Sequence, residues 1–191
     1  SLNIGGGFPI KTSLNFDYDY AYMVNEIVSQ IKKFCEEEGV EEPNIYTEFV
    51  EKYSKAMSEL IVWNPMDEKT QIQPMSSEKS LIDIESQIQR AVNSWAKITT
   101  WWKRLDTKWY FFAPTVLANV TKETSSFNEE IFGPVASVMK YENIDEAIEL
   151  ANWTDFWLSA VVIWNDENKA IEIWKKLEWW MIFINMIAWS R

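Results

Sequence analysis

The sequence predicts an α/β protein, built of parallel-sheet fragments in which short strands alternate with helices. Short apolar segments that suit strands recur along the 191 residues, and segments with helical periodicity lie between them. The composition, with 47% hydrophobic and 25% charged residues, is that of a folded globular chain. This length allows one domain or two small ones.

The first quarter of the chain is predicted to form a strand, a helix and a second strand. Residues 1–8 are apolar and run into a glycine turn. Over residues 18–38 apolar side chains recur at helical spacing, and Gly39 follows as the stop. Residues 44–49 are predicted to form the second strand. Such a strand-helix-strand unit is typical of parallel sheets.

The remaining chain continues this alternation. Helices are predicted at residues 49–60, 76–93, 144–151 and 167–177, and strands at residues 96–99, 110–120, 131–139, 158–163 and 181–184. The first of these helices has one apolar face. Ser76, Ser77 and Glu78 open the second helix, and Asp145 is the candidate N-cap of the third.

Composition and charge exclude several classes of function. The chain has no histidine, which excludes Ser-His-Asp catalysis, histidine-dependent zinc sites and an imidazole pH switch. With 18 basic and 29 acidic residues the net charge is −11, which repels a phosphate backbone, so we expect no nucleic-acid partner. We find no cleavable apolar leader and no membrane-spanning run, so we expect a cytoplasmic chain with no membrane partner.

Tryptophan and glycine occur in unusual numbers and places. The chain has 12 Trp and 5 Gly, and every Trp follows residue 60. Several tryptophans stand at predicted turns, where glycine is common: Trp63, Trp95, Trp101, Trp102, Trp109 and Trp164. A positive φ at such a turn strains a bulky side chain by about 1–2 kcal/mol. Our hypothesis is that these tryptophans stand for glycines, as a wrong translation table would produce. The alternative is that they are aromatics selected for packing.

From about residue 48 to the end, the order of motifs resembles the later catalytic-domain region of the aldehyde dehydrogenase superfamily. The motifs are Asn64-Pro65-Met66-Asp67, Gln73-Pro74-Met75, residues 110–117, Glu129-Glu130-Ile131-Phe132-Gly133-Pro134-Val135, residues 145–152 and residues 181–185. Together they are specific and cover about three quarters of the chain. The resemblance implies a Rossmann-like part of the catalytic domain, closest in character to succinate-semialdehyde enzymes. Trp63, Trp109 and Trp157 coincide with glycines of the family pattern.

The resemblance also implies a cofactor and two site residues. The family oxidises a small-molecule aldehyde with NAD or NADP, through a cysteine thiolate and a glutamate-activated water. Carried over by motif, Glu130 would contact the nicotinamide ribose hydroxyls, because a carboxylate accepts two such hydrogen bonds. Phe132 would pack near the nicotinamide ring. Taken without the family, Glu130 is a solvated loop carboxylate and Phe132 a core residue.

The family's nucleophile, base and oxyanion-hole asparagine lie upstream of the part that matches, so we assign no catalytic residue. Cys35 is the one cysteine and lies on the apolar face of a predicted helix, where a buried structural role is expected. The chain is therefore expected to be inactive as an oxidoreductase. A non-catalytic structural or interaction module is the alternative.

Residues 1–49 resemble a different family, the barrel domain of PLP-dependent decarboxylases of the arginine type. The resemblance is carried by the run Leu2-Asn3-Ile4-Gly5-Gly6-Gly7-Phe8-Pro9 and by Thr47-Glu48-Phe49. It implies that Gly5, Gly6 and Gly7 approach the PLP phosphate through backbone N–H groups, and that Glu48 pairs with the pyridine nitrogen. Val50 stands where that pattern has glycine, and the cofactor lysine lies outside the fragment.

The two resemblances predict a division of the chain into residues 1–49 and residues 50–191, with a join near residues 48–50. A chimera and a PLP decarboxylase remnant are therefore further alternatives. Residues 179–184 are apolar and uncharged, and a parallel-sheet fragment exposes strand edges. We therefore expect a homo-oligomer or an aggregation-prone chain.

Overall fold

The computed structural model describes residues 45–100, 102–105, 109–156 and 158–185. The strand predicted at residues 1–8 and the helix predicted at residues 18–38 lie outside these residues, as do Gly5, Gly6, Gly7 and Cys35. Within them the α/β class is confirmed, because helices alternate with strands and most strand pairs are parallel.

Helix α1 spans Ile45–Ser58. The strand predicted at residues 44–49 is therefore wrong. Tyr46, Phe49, Val50 and Tyr53 recur at three- and four-residue intervals, so a helix places them on one side, and the latter three are buried. The prediction of an apolar helix from residue 49 is confirmed, but the helix begins four residues earlier.

Helix α2 spans Glu78–Asn93 and is defined at both ends. The Ser77 side chain accepts a hydrogen bond from the Ser80 N–H at 3.1 Å, which satisfies one free donor of the first turn. At the other end the Trp95 N–H donates to the Val92 carbonyl (3.1 Å) and the Ala96 N–H to the Ala91 carbonyl (3.0 Å). These two bonds form a Schellman motif.

The first sheet has the order β1-β2-β3, with β1 at Lys97–Ile98, β2 at Thr115–Val120 and β3 at Val135–Met139. Strand β1 is antiparallel to β2, and β2 is parallel to β3. The short helix α3, Ser125–Asn128, lies in the connection between β2 and β3. The β2–β3 register is irregular between Leu117 and Val120, where Asn119 has a φ of 56°.

Helices cover both faces of this sheet. One cluster joins α1 to the side chains of Val116, Ala118, Ala136 and Val138. A second joins α2 to Leu117, Val120 and Val135. Because successive strand residues point to opposite faces, β2 contributes side chains to both clusters. The core thus holds α2 against β3, the strand that follows the loop containing Glu130.

The remaining elements are helix α4 (Ile144–Asn152), strand β4 (Ser159–Val162), helix α5 (Glu167–Trp174) and strand β5 (Met181–Ile184). Strands β4 and β5 pair in parallel. The N-cap predicted at Asp145 is wrong: Asn143 caps α4 by accepting from the Glu146 N–H at 2.9 Å. Asp145 lies in the first turn, where its charge suits the helix dipole.

The prediction of strained tryptophans holds at one described position. Trp95 has a φ of 71° and is 90% exposed. Trp63 and Trp164 have no positive φ, so the strain expected at those two positions is wrong. The other predicted turn tryptophans lie among or directly after residues that the structure does not describe: Trp101, Trp102 and Trp109. Among the described residues no tryptophan is fully buried, but Trp164 is partly buried and packs against the cluster that contains Val162 and Ile173, so packing remains an alternative there.

Candidate functional site

The predicted site residues Glu130 and Phe132 lie in the loop between α3 and β3. Both side chains are exposed, Phe132 to 73%, whereas Ile131 between them is buried in the α2 cluster. Among the described residues the Glu130 carboxylate makes no hydrogen bond or ion pair. The loop therefore presents a free carboxylate and, two residues later, an aromatic ring to solvent.

Polar side chains of α2 hold the start of this loop. Arg90 donates from Nε to Glu129 Oε1 (3.1 Å) and from Nη2 to Glu129 Oε2 (2.6 Å), a two-bond pair with fixed geometry. Gln87 donates from Nε2 to the Glu130 carbonyl oxygen at 2.9 Å. The hydrogen bond from the Arg90 guanidinium is the main reason that the pKa of Glu129 is lowered from its ordinary value.

Close packing holds the end of the same loop. A Cβ placed on Gly133 would lie 2.2 Å from Ile84 Cδ1 and 3.2 Å from Met75 Cε. The absence of a side chain at residue 133 therefore lets the loop backbone approach α2. The Thr115 N–H then donates to the Pro134 carbonyl at 2.8 Å, which ties the loop to the beginning of β2.

Glu48, the predicted partner of a PLP pyridine nitrogen, lies on the surface of α1. Its Oε1 is 2.9 Å from Lys52 Nζ, one helical turn away. Because Glu48 lies within a helix, it does not occupy the strand end that a barrel site requires. The other predicted PLP contacts, Gly5, Gly6 and Gly7, lie outside the described residues.

Sequence reasoning missed Arg90 and Gln87, because both are ordinary polar residues of a helix surface. Their partners are 39 and 43 residues away along the chain, so no local pattern reveals the contacts.

Sequence reasoning also missed a groove of about 800 Å³ between α1 and strands β1 and β2. There the Tyr46 hydroxyl accepts from the Asn119 N–H (2.6 Å) and donates to the Val138 carbonyl (3.2 Å). Burial raises the pKa of Tyr46.

The fold and the loop define a class of protein: an α/β domain with helices on both faces of a sheet and an exposed Glu-x-Phe pair beside it. The model of the aldehyde dehydrogenase family matches residues 39–191. The chain belongs to the aldehyde dehydrogenase family.

Curated relatives carry names from within this family. "Succinate-semialdehyde dehydrogenase [NADP(+)] 1" of Mycobacterium ulcerans is 34% identical over 188 residues, which is 96% of this chain and 41% of the relative. "Retinal dehydrogenase 2" of Taeniopygia guttata is 35% identical over 189 residues, 97% of this chain and 37% of the relative. The chain thus spans about two fifths of the length of these relatives.

Solved structures show the same fold. Succinic semialdehyde dehydrogenase from Streptococcus pyogenes, in complex with NADP+, is 30% identical with a TM-score of 0.72 over 78% of this chain and 32% of that one. The aldehyde dehydrogenase of Mycobacterium tuberculosis, complexed with NAD+, is 30% identical with a TM-score of 0.72 over 75% and 30%.

The comparisons give no support to a decarboxylase fragment at residues 1–49. Alignments with aldehyde dehydrogenase relatives cover 96% of the chain and so include most of that segment. The division near residues 48–50 stays a prediction, and α1 runs through it without interruption. Over the stretches that the structure describes, no helix has the length and apolarity to cross a membrane.

Proposed function

We propose that this chain supplies the nicotinamide-side contacts of an NAD(P)-dependent aldehyde dehydrogenase. The observation that carries the proposal is the pair formed by Glu130 and Phe132: both are exposed, two residues apart, on a loop held at both ends. A free carboxylate fits the two hydroxyls of a ribose, and an exposed ring fits the face of a nicotinamide. Solved relatives hold NAD+ or NADP+.

Each residue has a distinct role in this proposal. The Glu130 carboxylate accepts hydrogen bonds from the ribose hydroxyls and so fixes the height of the nucleotide above the loop. Phe132 packs beside the ring and excludes water from that side. The nicotinamide, when bound, supplies the acceptor for the hydride that leaves the substrate. Ile131 anchors both residues by filling the core under them.

The proposed substrate is a small aldehyde that carries a carboxylate, of the succinate-semialdehyde type. The support is a relative at 34% identity that is named as a succinate-semialdehyde dehydrogenase. We further propose that the 191-residue chain alone sustains no oxidation, since its one thiol, Cys35, lies before the residues that the family model matches. A cytoplasmic location and a homo-oligomeric or self-associating state complete the proposal.

The test is the affinity of the chain for NADH, measured by nucleotide fluorescence. Glu130→Gln should raise the dissociation constant about tenfold, because a hydrogen bond to a charged group contributes about 1.5–3 kcal/mol. Glu142→Gln is the matched control, since Glu142 is also exposed with a free carboxylate, and its affinity should equal that of the unsubstituted chain. Adding succinate semialdehyde and NADP should give no sustained rise in nicotinamide absorbance.

Two results would contradict the proposal. Failure of the unsubstituted chain to bind NADH would remove the nucleotide role and favour the interaction-module alternative. Equal losses in Glu130→Gln and Glu142→Gln would show that net charge, not the position of Glu130, sets the affinity. Sustained turnover would contradict the predicted inactivity alone.

A further inference from the structure

Three residues of α2, spaced three apart, contact the Glu130 loop, and the helix runs in the opposite direction to the loop. Ile84 lies against Gly133, Gln87 bonds the Glu130 carbonyl, and Arg90 pairs with Glu129. Residues at positions i, i+3 and i+6 form a row along one side of a helix. We call Ile84, Gln87 and Arg90 the docking row. It contacts Glu129 and Gly133, which flank the Glu130–Phe132 pair, and the backbone carbonyl of Glu130.

The docking row binds one of the two neighbouring carboxylates, that of Glu129, and leaves that of Glu130 free. Arg90 occupies both oxygens of Glu129, whereas those of Glu130 stay free among the described residues. An arginine and a carboxylate joined by two parallel bonds fix orientation as well as distance. The bond from Gln87 fixes the backbone of Glu130 itself. If the loop rotated so that Glu130 took the place of Glu129, the two bonds from Arg90 and the bond from Gln87 would break.

We propose that Arg90 and Gln87 are positioning residues, which hold the loop so that Glu130 and Phe132 face the nicotinamide nucleotide. The inference rests on the proposed function and extends it from the contact residues to the helix behind them. Positioning contributes to affinity because a loop already fixed in its binding conformation loses less entropy when the ligand binds.

The experiment compares Arg90→Ala with Arg104→Ala in the full chain. Arg104 is the matched control: it too makes a two-bond pair with a glutamate, Glu85 of α2, at 2.7 Å and 2.7 Å, but it tethers a different segment. Arg90→Ala should raise the NADH dissociation constant five- to tenfold, and Arg104→Ala should leave it unchanged. Hydrogen exchange of the peptide over residues 127–135 should accelerate in Arg90→Ala alone.

Two further variants distinguish positioning from charge and from lost folding. Arg90→Lys keeps the charge but not the second bond, so it should recover only part of the affinity. Arg90→Ala combined with Glu129→Ala should bind as weakly as Arg90→Ala, whereas full recovery would overturn the proposal by showing that the freed Glu129 charge alone was responsible. Circular dichroism and the unfolding midpoint identify any variant that has lost the fold, and Gln87→Ala then serves in its place.

The outcomes separate this inference from the proposed function. If the unsubstituted chain binds NADH and Arg90→Ala binds it equally well, the positioning role is overturned and the role of Glu130 stands. If the unsubstituted chain does not bind NADH, the proposed function is overturned, and the positioning role toward the nucleotide falls with it.

Discussion

Trp95 occupies a backbone position that suits glycine. It follows the C-cap of α2 with a φ of 71°; its own N–H donates one hydrogen bond of the Schellman motif, and the N–H of Ala96 donates the other. Glycine is the common residue there because it has no Cβ to clash with the carbonyl in a left-handed conformation. At this residue the geometry agrees with the hypothesis that a tryptophan stands for a glycine.

Trp95→Gly should raise the free energy of unfolding by about 1 kcal/mol, because it removes the left-handed strain and no buried contact. Urea unfolding followed by circular dichroism measures the change. Trp180→Gly is the control: Trp180 is 86% exposed, like Trp95, but its φ is not positive, so no stabilisation is expected. A lower midpoint for Trp95→Gly would show that the tryptophan contributes contacts that outweigh the strain.

At the scale of elements, the sequence predicted best where one local signal defines a boundary. Helix α2 was expected at residues 76–93 and spans Glu78–Asn93, because the Ser77 cap and the apolar period agree. The strands β4 and β5 were also placed within one or two residues, since short apolar runs between helical segments suit buried parallel strands.

The failures occurred where distant contacts decide the structure. Residues 44–49 carry apolar side chains that fit a strand or a helix, and the Tyr46 hydroxyl settles the choice by bonding residues 73 and 92 positions away. In the same way, Glu130 and Phe132 were identified from a motif, whereas Arg90 and Gln87, which hold their loop, gave no signal. Sequence periodicity reports which face is apolar, but not which polar side chain meets a remote loop.

The contact between α2 and the Glu130 loop predicts a coupled pair of substitutions. Gly133→Ala should destabilise the chain by about 1–3 kcal/mol, because the new Cβ would overlap Ile84 Cδ1, 2.2 Å away. Ile84→Val removes that atom, so the double variant should lose less stability than the two single effects added together. Chemical unfolding of the four proteins measures the coupling. Simple additivity would mean that the loop moves away from α2 instead.

At the scale of the whole molecule, the described part of the chain contains two small sheets with open edges. Strand β3 pairs with β2 alone and β5 with β4 alone, within the residues the structure describes. Leu158 and Trp180, which adjoin β4 and β5, are 74% and 86% exposed. Apolar side chains beside open strand edges favour association with further chains.

We therefore expect the 22.5 kDa chain to self-associate, with a sedimentation coefficient that rises with concentration. Trp180→Lys should shift the distribution toward the monomer, because a charge beside β5 opposes edge pairing. Met66→Lys is the control, as Met66 is equally exposed but lies in a turn that belongs to neither strand. A monodisperse monomer of the unsubstituted chain at all concentrations would contradict the expectation.

The alternation of outward and inward side chains in the Glu130 loop divides two tasks between neighbouring residues. Ile131 is buried and Gly133 lets the backbone lie close to Ile84, so these two residues hold the loop in place, whereas Glu130 and Phe132 are exposed. Because the outward pair bears little of the packing, substitutions at Glu130 and Phe132 can change the exposed surface of the loop while the packing beneath it stays intact.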